Sequence, residues 1–274
     1  MNHSNPAARS LLFAAVTTLG SGCKPPPDAP ERFEELCDYI FGHADDEDPE
    51  AAIAGLDNLN RWMEKPGNLE STAEGYTISK LSQESVSDLK FDTSQAPDVS
   101  SLIGAAVAVR HGATLKRMAQ TTVVDDWQNV AEGQYEEYRR NFGNQSPSCF
   151  PAKGCDELSA TSFSKSSWAG LIEVDSKNKI DFQWFFSEET NNWFLVHRSW
   201  LTEPATVDPD RYDIDVRAQY FLAVTSKING KTVRTMATWI DADYGSIPIS
   251  EDGVKNQIVD SMVKQGKFVD DWHD

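Results

Sequence analysis

The sequence predicts an α+β fold: an N-terminal helical hairpin, then a twisted antiparallel sheet of five or more strands packed by a C-terminal helix. Three observations carry this. Apolar residues repeat at helical spacing between residues 33 and 63. From residue 168 onward the pattern turns strand-like, with short polar turns and an Asn-Gly pair at 229–230, the strongest short hairpin signal. Val254, Ile258, Val259, Met262 and Val263 then form a stripe at i, i+4 and i+8, and such a stripe must cover something, here the sheet.

The chain has 274 residues, and the first 22 differ from the rest. They hold Arg9, no acid, and an apolar run from Leu11 to Val16 that thins into small residues. A run of about ten is too short for a bilayer, which takes about 20 residues; this is the pattern of a secretory signal peptide, residues 1–22. Leu19-Gly20-Ser21-Gly22-Cys23 resembles the lipobox of bacterial lipoproteins. The resemblance implies cleavage before Cys23 and a lipid on its thiol, so the membrane is a partner through the N-terminus. The departure is Leu19, one place earlier than the family pattern. A general secretory signal with a coincidental cysteine, or a structural cysteine on a tail, are the alternatives. Residues 23–30 are a Pro-rich tether. Lys24 stands where, by the same resemblance, Asp would favour the inner membrane, so the expected location is a bacterial outer membrane.

Residues 31–66 read as the hairpin. Phe33, Leu36, Cys37, Ile40 and Phe41 mark its first helix, which Gly42 ends. Asp48 as N-cap and Pro49 as first helical residue open the second, and Pro66-Gly67 stop it. The acidic loop Asp45-Asp46-Glu47-Asp48 lacks the spaced oxygens and turn glycine of a calcium loop, and reads as a solvated cap.

Residues 67–274 form the α+β body. A short strand is expected at 75–81, a helical turn at 82–89, and a strand or helix at 101–110, where periodicity does not decide. Residues 113–130 read as a helix that ends as a strand at 121–124. Tyr135, Tyr138 and Phe142 are helix-spaced. Strands follow at 168–175 and 180–187 around a polar turn at 176–179, then at 193–201, 214–227 and 231–241. This is an antiparallel meander, closed by a helix at about 251–265.

Residues 165–270, with the corner Asp243-Tyr244-Gly245-Ser246-Ile247-Pro248 between last strand and last helix, resemble the START-like helix-grip fold. The resemblance implies a helix gripped by the sheet and a cavity for a lipid or other apolar ligand between them.

The chemistry is sparse. Lys and Arg number 25 against 43 Asp and Glu, a net charge of −18, which argues against nucleic acid as a partner. No metalloprotease, hydrolase or phosphate-loop motif is present, so no catalytic residue, metal site or cofactor is expected. Cys149 and Cys155, six apart around Pro151 and Gly154, read as a short-loop disulfide, with a metal site as the alternative. Cys37 reads as a buried thiol.

Phe194, Val196, Arg198 and Trp200 share one strand face, and Arg217 and Arg234 sit on later strands. Two readings follow. Either the arginines pair with cross-strand carboxylates, or these six residues line a cavity for an apolar ligand with an acidic head. His197 falls on an otherwise apolar face and reads as a core histidine. The function expected is a lipid-anchored, non-enzymatic binding or structural module of unknown partner; the alternative is a START-like carrier.

Overall fold

The computed structural model describes residues 28–93, 97–168, 172–208 and 213–274. The expected signal peptide, Cys23 and most of the expected tether lie outside the described residues. The helices are α1 (Phe33–His43), α2 (Glu50–Glu64), α3 (Asn68–Ala73), α4 (Leu115–Thr122) and α5 (Glu251–His273). The strands are β1 (Tyr76–Thr77), β2 (Ile103–His111), β3 (Glu137–Asn141), β4 (Glu157–Trp168), β5 (Ile172–Ser187), β6 (Asn192–Leu201), β7 (Thr206–Asp208), β8 (Asp215–Ile228) and β9 (Lys231–Asp243). They form one antiparallel sheet in the order β1-β2-β9-β8-β6-β5-β4-β3, with β7 on β5. The predicted α+β class, hairpin, sheet and final helix are all present.

Three layers result. Side chains alternate across each strand, so one face buries Phe194, Val196, Trp200, Tyr220, Leu222 and Trp239 against Phe33, Leu36, Ile40, Phe41 and Leu56 of α1 and α2. The hairpin therefore shares its core with the sheet. The other face buries Ala105, Val107, Ala223 and Met236 against Val254, Ile258 and Met262 of α5. Beside that, Leu115 and Ala119 of α4 meet Phe150, Phe182, Trp184 and Leu195.

Local chemistry sets the element ends. Ser250 Oγ accepts from Gly253 N at 3.2 Å to cap α5, and Thr114 Oγ1 accepts from Arg117 N at 3.3 Å to cap α4. Asn229 and Gly230 both have positive φ (49° and 76°), as a type I′ hairpin between β8 and β9 requires. Gly104 is needed where Trp239 crosses β2, since a Cβ there would lie 2.7 Å from Trp239 Cδ1.

Seven expectations change. Gly42 lies inside α1, which runs to His43; Pro49, not Asp48, takes the cap position before α2; and Val263 of the α5 stripe is exposed. The polar run 176–179 is not a turn: β5 is continuous from Ile172 to Ser187, and its antiparallel partner β4 went unread. Tyr138 lies on strand β3, not on a helix, and alternates with exposed Arg139. The stretch 121–124 ends α4 and forms no strand. Finally, α5 continues past Gln265 to His273, because Gly266 packs on Val109 instead of stopping the helix.

Candidate functional site

The six residues of the expected cavity do not come together. Phe194, Val196 and Trp200 are core residues on the α1/α2 face. Arg198, 2 % exposed, lies among them; both of its terminal nitrogens are paired with oxygens, while its buried Nε has no partner. Its Nη1 donates to Phe41 O at 3.0 Å and to Asp45 Oδ1 at 2.8 Å. Its Nη2 lies 2.6 Å from Asp45 Oδ2 and 3.4 Å from Asp181 Oδ2, the cross-strand neighbour on β5. The guanidinium also covers the Phe41 and Trp200 rings, at 5.5 and 5.4 Å. The acidic loop thus supplies, in Asp45, the counter-ion of a buried arginine. Arg217, half exposed, holds Asp241 in a two-bond fork of 3.0 and 2.7 Å. These two arginines follow the paired reading.

Arg234 does not. It projects from β9 to the opposite face, with His197 of β6. Together with Thr225, Ala223, Leu195 and Phe182 from the sheet, and Met118, Thr121, Thr122 and Trp127 from α4 and the turn after it, they line a narrow pit of about 20 Å³. Arg234 Nη1 and His197 Nε2 are buried and have no hydrogen-bond partner. Burial pushes the Arg234 guanidinium down to about 10. Burial, then the charges of Arg234 and Arg140, hold the His197 imidazole well below its ordinary range, so it is neutral at pH 7. The His197 ring meets Phe182 at a tilt and Phe221 edge-on, with centroids 4.6 and 5.0 Å apart.

Arg140 is a second buried cation in this region. Its Nη1 donates to the carbonyls of Thr122 and Val124 at 2.8 and 3.2 Å, and its Nη2 to Tyr138 OH at 2.8 Å. It faces the rings of Trp127, Tyr138 and Phe182 at 5.4–5.6 Å. No sequence signal pointed to Arg140 or Thr225, because α4 approaches the sheet only in the folded chain.

A larger space lies on the other face. Beyond Trp200, an open groove of about 980 Å³ runs over β3, β4 and β5. By alternation and register, Arg139, Phe163, Lys177 and Lys179 share this face. Lys90 adds a cation, and Asp92, Asp125, Asp126 and Glu137 add acids. Lys179 Nζ lies 5.3 Å from the Trp200 ring centroid and Arg139 covers Phe163 at 5.1 Å.

Cys149 and Cys155 form the expected disulfide, with Cα atoms 5.5 Å apart. It closes the turn that places Phe150 in the core beside Trp184, whose Nε1 donates to Phe150 O at 2.9 Å. Cys37 is buried, and burial raises its thiol well above the ordinary range. Among the described residues no group of three His, Cys, Asp or Glu is placed to hold a metal, and no helix is long and apolar enough to cross a membrane.

No family model matches the chain, and no curated protein matches it. Solved structures do resemble it. A START superfamily protein from Mycobacterium smegmatis is 9% identical with a TM-score of 0.35, covering 61% of this chain and 94% of that one. The ginseng major latex-like protein 151 from Panax ginseng is 8% identical with a TM-score of 0.38, covering 64% and 99%. Human STARD10 is 10% identical with a TM-score of 0.34, covering 61% and 62%. The likeness is loose at these scores.

Proposed function

We propose that this chain is a lipid-anchored protein of a bacterial envelope, held through Cys23, whose body is a non-enzymatic module that binds a protein segment in the β3–β5 groove. One observation carries the reading: the interior between α4 and the sheet holds about 20 Å³, while the groove holds about 980 Å³. Interior small-molecule sites occupy several hundred Å³. The groove's cations, Lys90, Arg139, Lys177 and Lys179, stand beside the acids Asp92, Asp126 and Glu137 around Phe163, a surface suited to a polar, extended partner with one apolar anchor. The overall charge of −18 keeps the tethered body off anionic lipid.

A photo-crosslinking residue at position 163 is expected to give a discrete protein adduct in cells. The same probe at position 263, on the exposed outer side of α5, is expected to give none. Lys177→Glu with Lys179→Glu lowers the adduct about tenfold. Equal adducts at both positions, or none at 163, sink the reading. For the anchor, Cys23→Ala is expected to abolish fatty-acid labelling and release the protein from membranes; persistent labelling rules out attachment at Cys23.

A second reading, the carrier of a lipid or hydrophobic small molecule between sheet and α5, is favoured by the unpartnered Arg234 on that face. It requires that layer to open from a narrow pit to a full cavity. Native mass spectrometry of the protein gently released from its envelope separates the two: a copurifying small molecule supports the carrier, a copurifying protein the module.

A further inference from the structure

The pit between β6, β8, β9 and α4 is where the charges of this molecule do not close. Arg234 is 6 % exposed, its Nη1 has no hydrogen-bond partner, and no carboxylate among the described residues forms an ion pair with it. Arg140, the other buried guanidinium on this face, satisfies itself on carbonyls, a phenol and aromatic rings, none of which carries negative charge. No Asp or Glu lines the pit. At about 10 the Arg234 guanidinium still carries its charge at pH 7. A desolvated cation without a counter-charge costs several kcal/mol, and the fold keeps this one.

A single water would accept a hydrogen bond from Arg234 but bring no charge. The volume of about 20 Å³ holds one particle of water size. That size suits a single monatomic ion better than phosphate or sulfate. His197, held neutral, donates from Nε2 in its Nε2–H tautomer, and this nitrogen also has no partner. Two residues, each with an unpartnered buried nitrogen, therefore line one narrow, water-sized space that lacks a negative group.

We propose that this pit binds one monatomic anion, a halide of chloride size, held between Arg234 Nη1 and His197 Nε2 and walled by Thr225, Phe182 and Trp127. The halide completes the core of the α4/α5 face from outside the sequence, as Asp45 and Asp181 complete the other face from within it. It binds only the folded chain, so it stabilises by mass action.

The test uses bromide as the probe, with the full chain. Crystals grown in sodium bromide are expected to show a bromine anomalous peak in the pit. In solution at constant ionic strength, chloride or bromide is expected to raise Tm above its value in gluconate. The rise is roughly 5–10 °C at a hundredfold excess over Kd, and Arg234→Met abolishes it. A water-filled or empty pit in the bromide crystals overturns the proposal. So does a Tm that is the same in halide and gluconate, or a halide response that survives Arg234→Met. If that variant fails to fold, the anomalous map of the wild-type chain decides alone.

Discussion

Two arginines stand on opposite faces of one sheet and meet opposite fates. Arg198 points toward α1 and α2 and finds Asp45, Asp181 and a carbonyl within 3.4 Å. Arg234 points toward α4 and α5 and finds no carboxylate and no partner for Nη1. Both are buried. On the first face the loop that joins the two helices delivers a carboxylate to the cation. On the second, α4 arrives with Met118, Thr121 and Thr122, whose hydroxyls already donate to the helix's own carbonyls. A buried charge is therefore specified by what crosses over it, not by its own strand.

This contrast breaks most sharply at the paired site. Asp45→Asn with Asp181→Asn leaves the Arg198 guanidinium buried and uncompensated, and is expected to cost about 3 kcal/mol in chemical denaturation. An effect under about 1 kcal/mol would mean that the two carboxylates are not its counter-charge.

The next effect belongs to the unpaired face and appears with pH. The folded chain holds His197 below the ordinary value of 6.5, by burial first and then by Arg234 and Arg140. The unfolded chain therefore takes up the proton first as pH falls. The stabilising contribution is complete above about pH 6.5 and is lost below it, at a slope of about 1.4 kcal/mol per pH unit for this group. His111 and His273 are also held low, by burial first, and add to the slope. Denaturation curves from pH 7 to 5 are expected to flatten in His197→Phe; an unchanged slope would remove His197 from the account.

Arg234→Met tests the unpaired face directly. In halide-free buffer it is expected to lie within about 1 kcal/mol of wild type or to stabilise, because it removes an uncompensated charge and keeps an apolar stem. A loss of about 3 kcal/mol would show that Arg234 has an internal partner after all. The smallest effect is expected in the open groove, where Lys177→Glu with Lys179→Glu changes folding stability by about 0.5 kcal/mol or less. These side chains reach solvent, and Lys177 makes only a surface pair with Glu203 at 2.7 Å.

The legible parts of the fold have local causes. The hairpin, the Asn229-Gly230 turn, the β8–β9 pair and the stripe of α5 announce themselves through periodicity and turn chemistry. The disulfide was legible because a six-residue spacing with Pro151 and Gly154 brings two thiols together by itself. The β4–β5 ladder was not. Ser176-Lys177-Asn178-Lys179 is polar because this part of β5 lies along the open groove, and a polar strand segment reads as a turn. Gly266 likewise looks like a helix stop, and only the contact with Val109 shows why a residue without a side chain belongs inside α5.

The fold class, the hairpin and last helix, the cysteine pair, and the placing of Arg198, Arg217 and Arg234 on strands all follow from local sequence. Each of these depends on neighbours within a few residues or on spacing alone. Folding alone sets which elements each arginine meets, that Asp45 serves Arg198 across 153 positions, that the expected cavity is divided between two faces, and that Arg234 and His197 share a pit without a carboxylate. The physical reason is that the energy of a buried charge depends on partners brought in by other elements, and no local pattern records which partners those are.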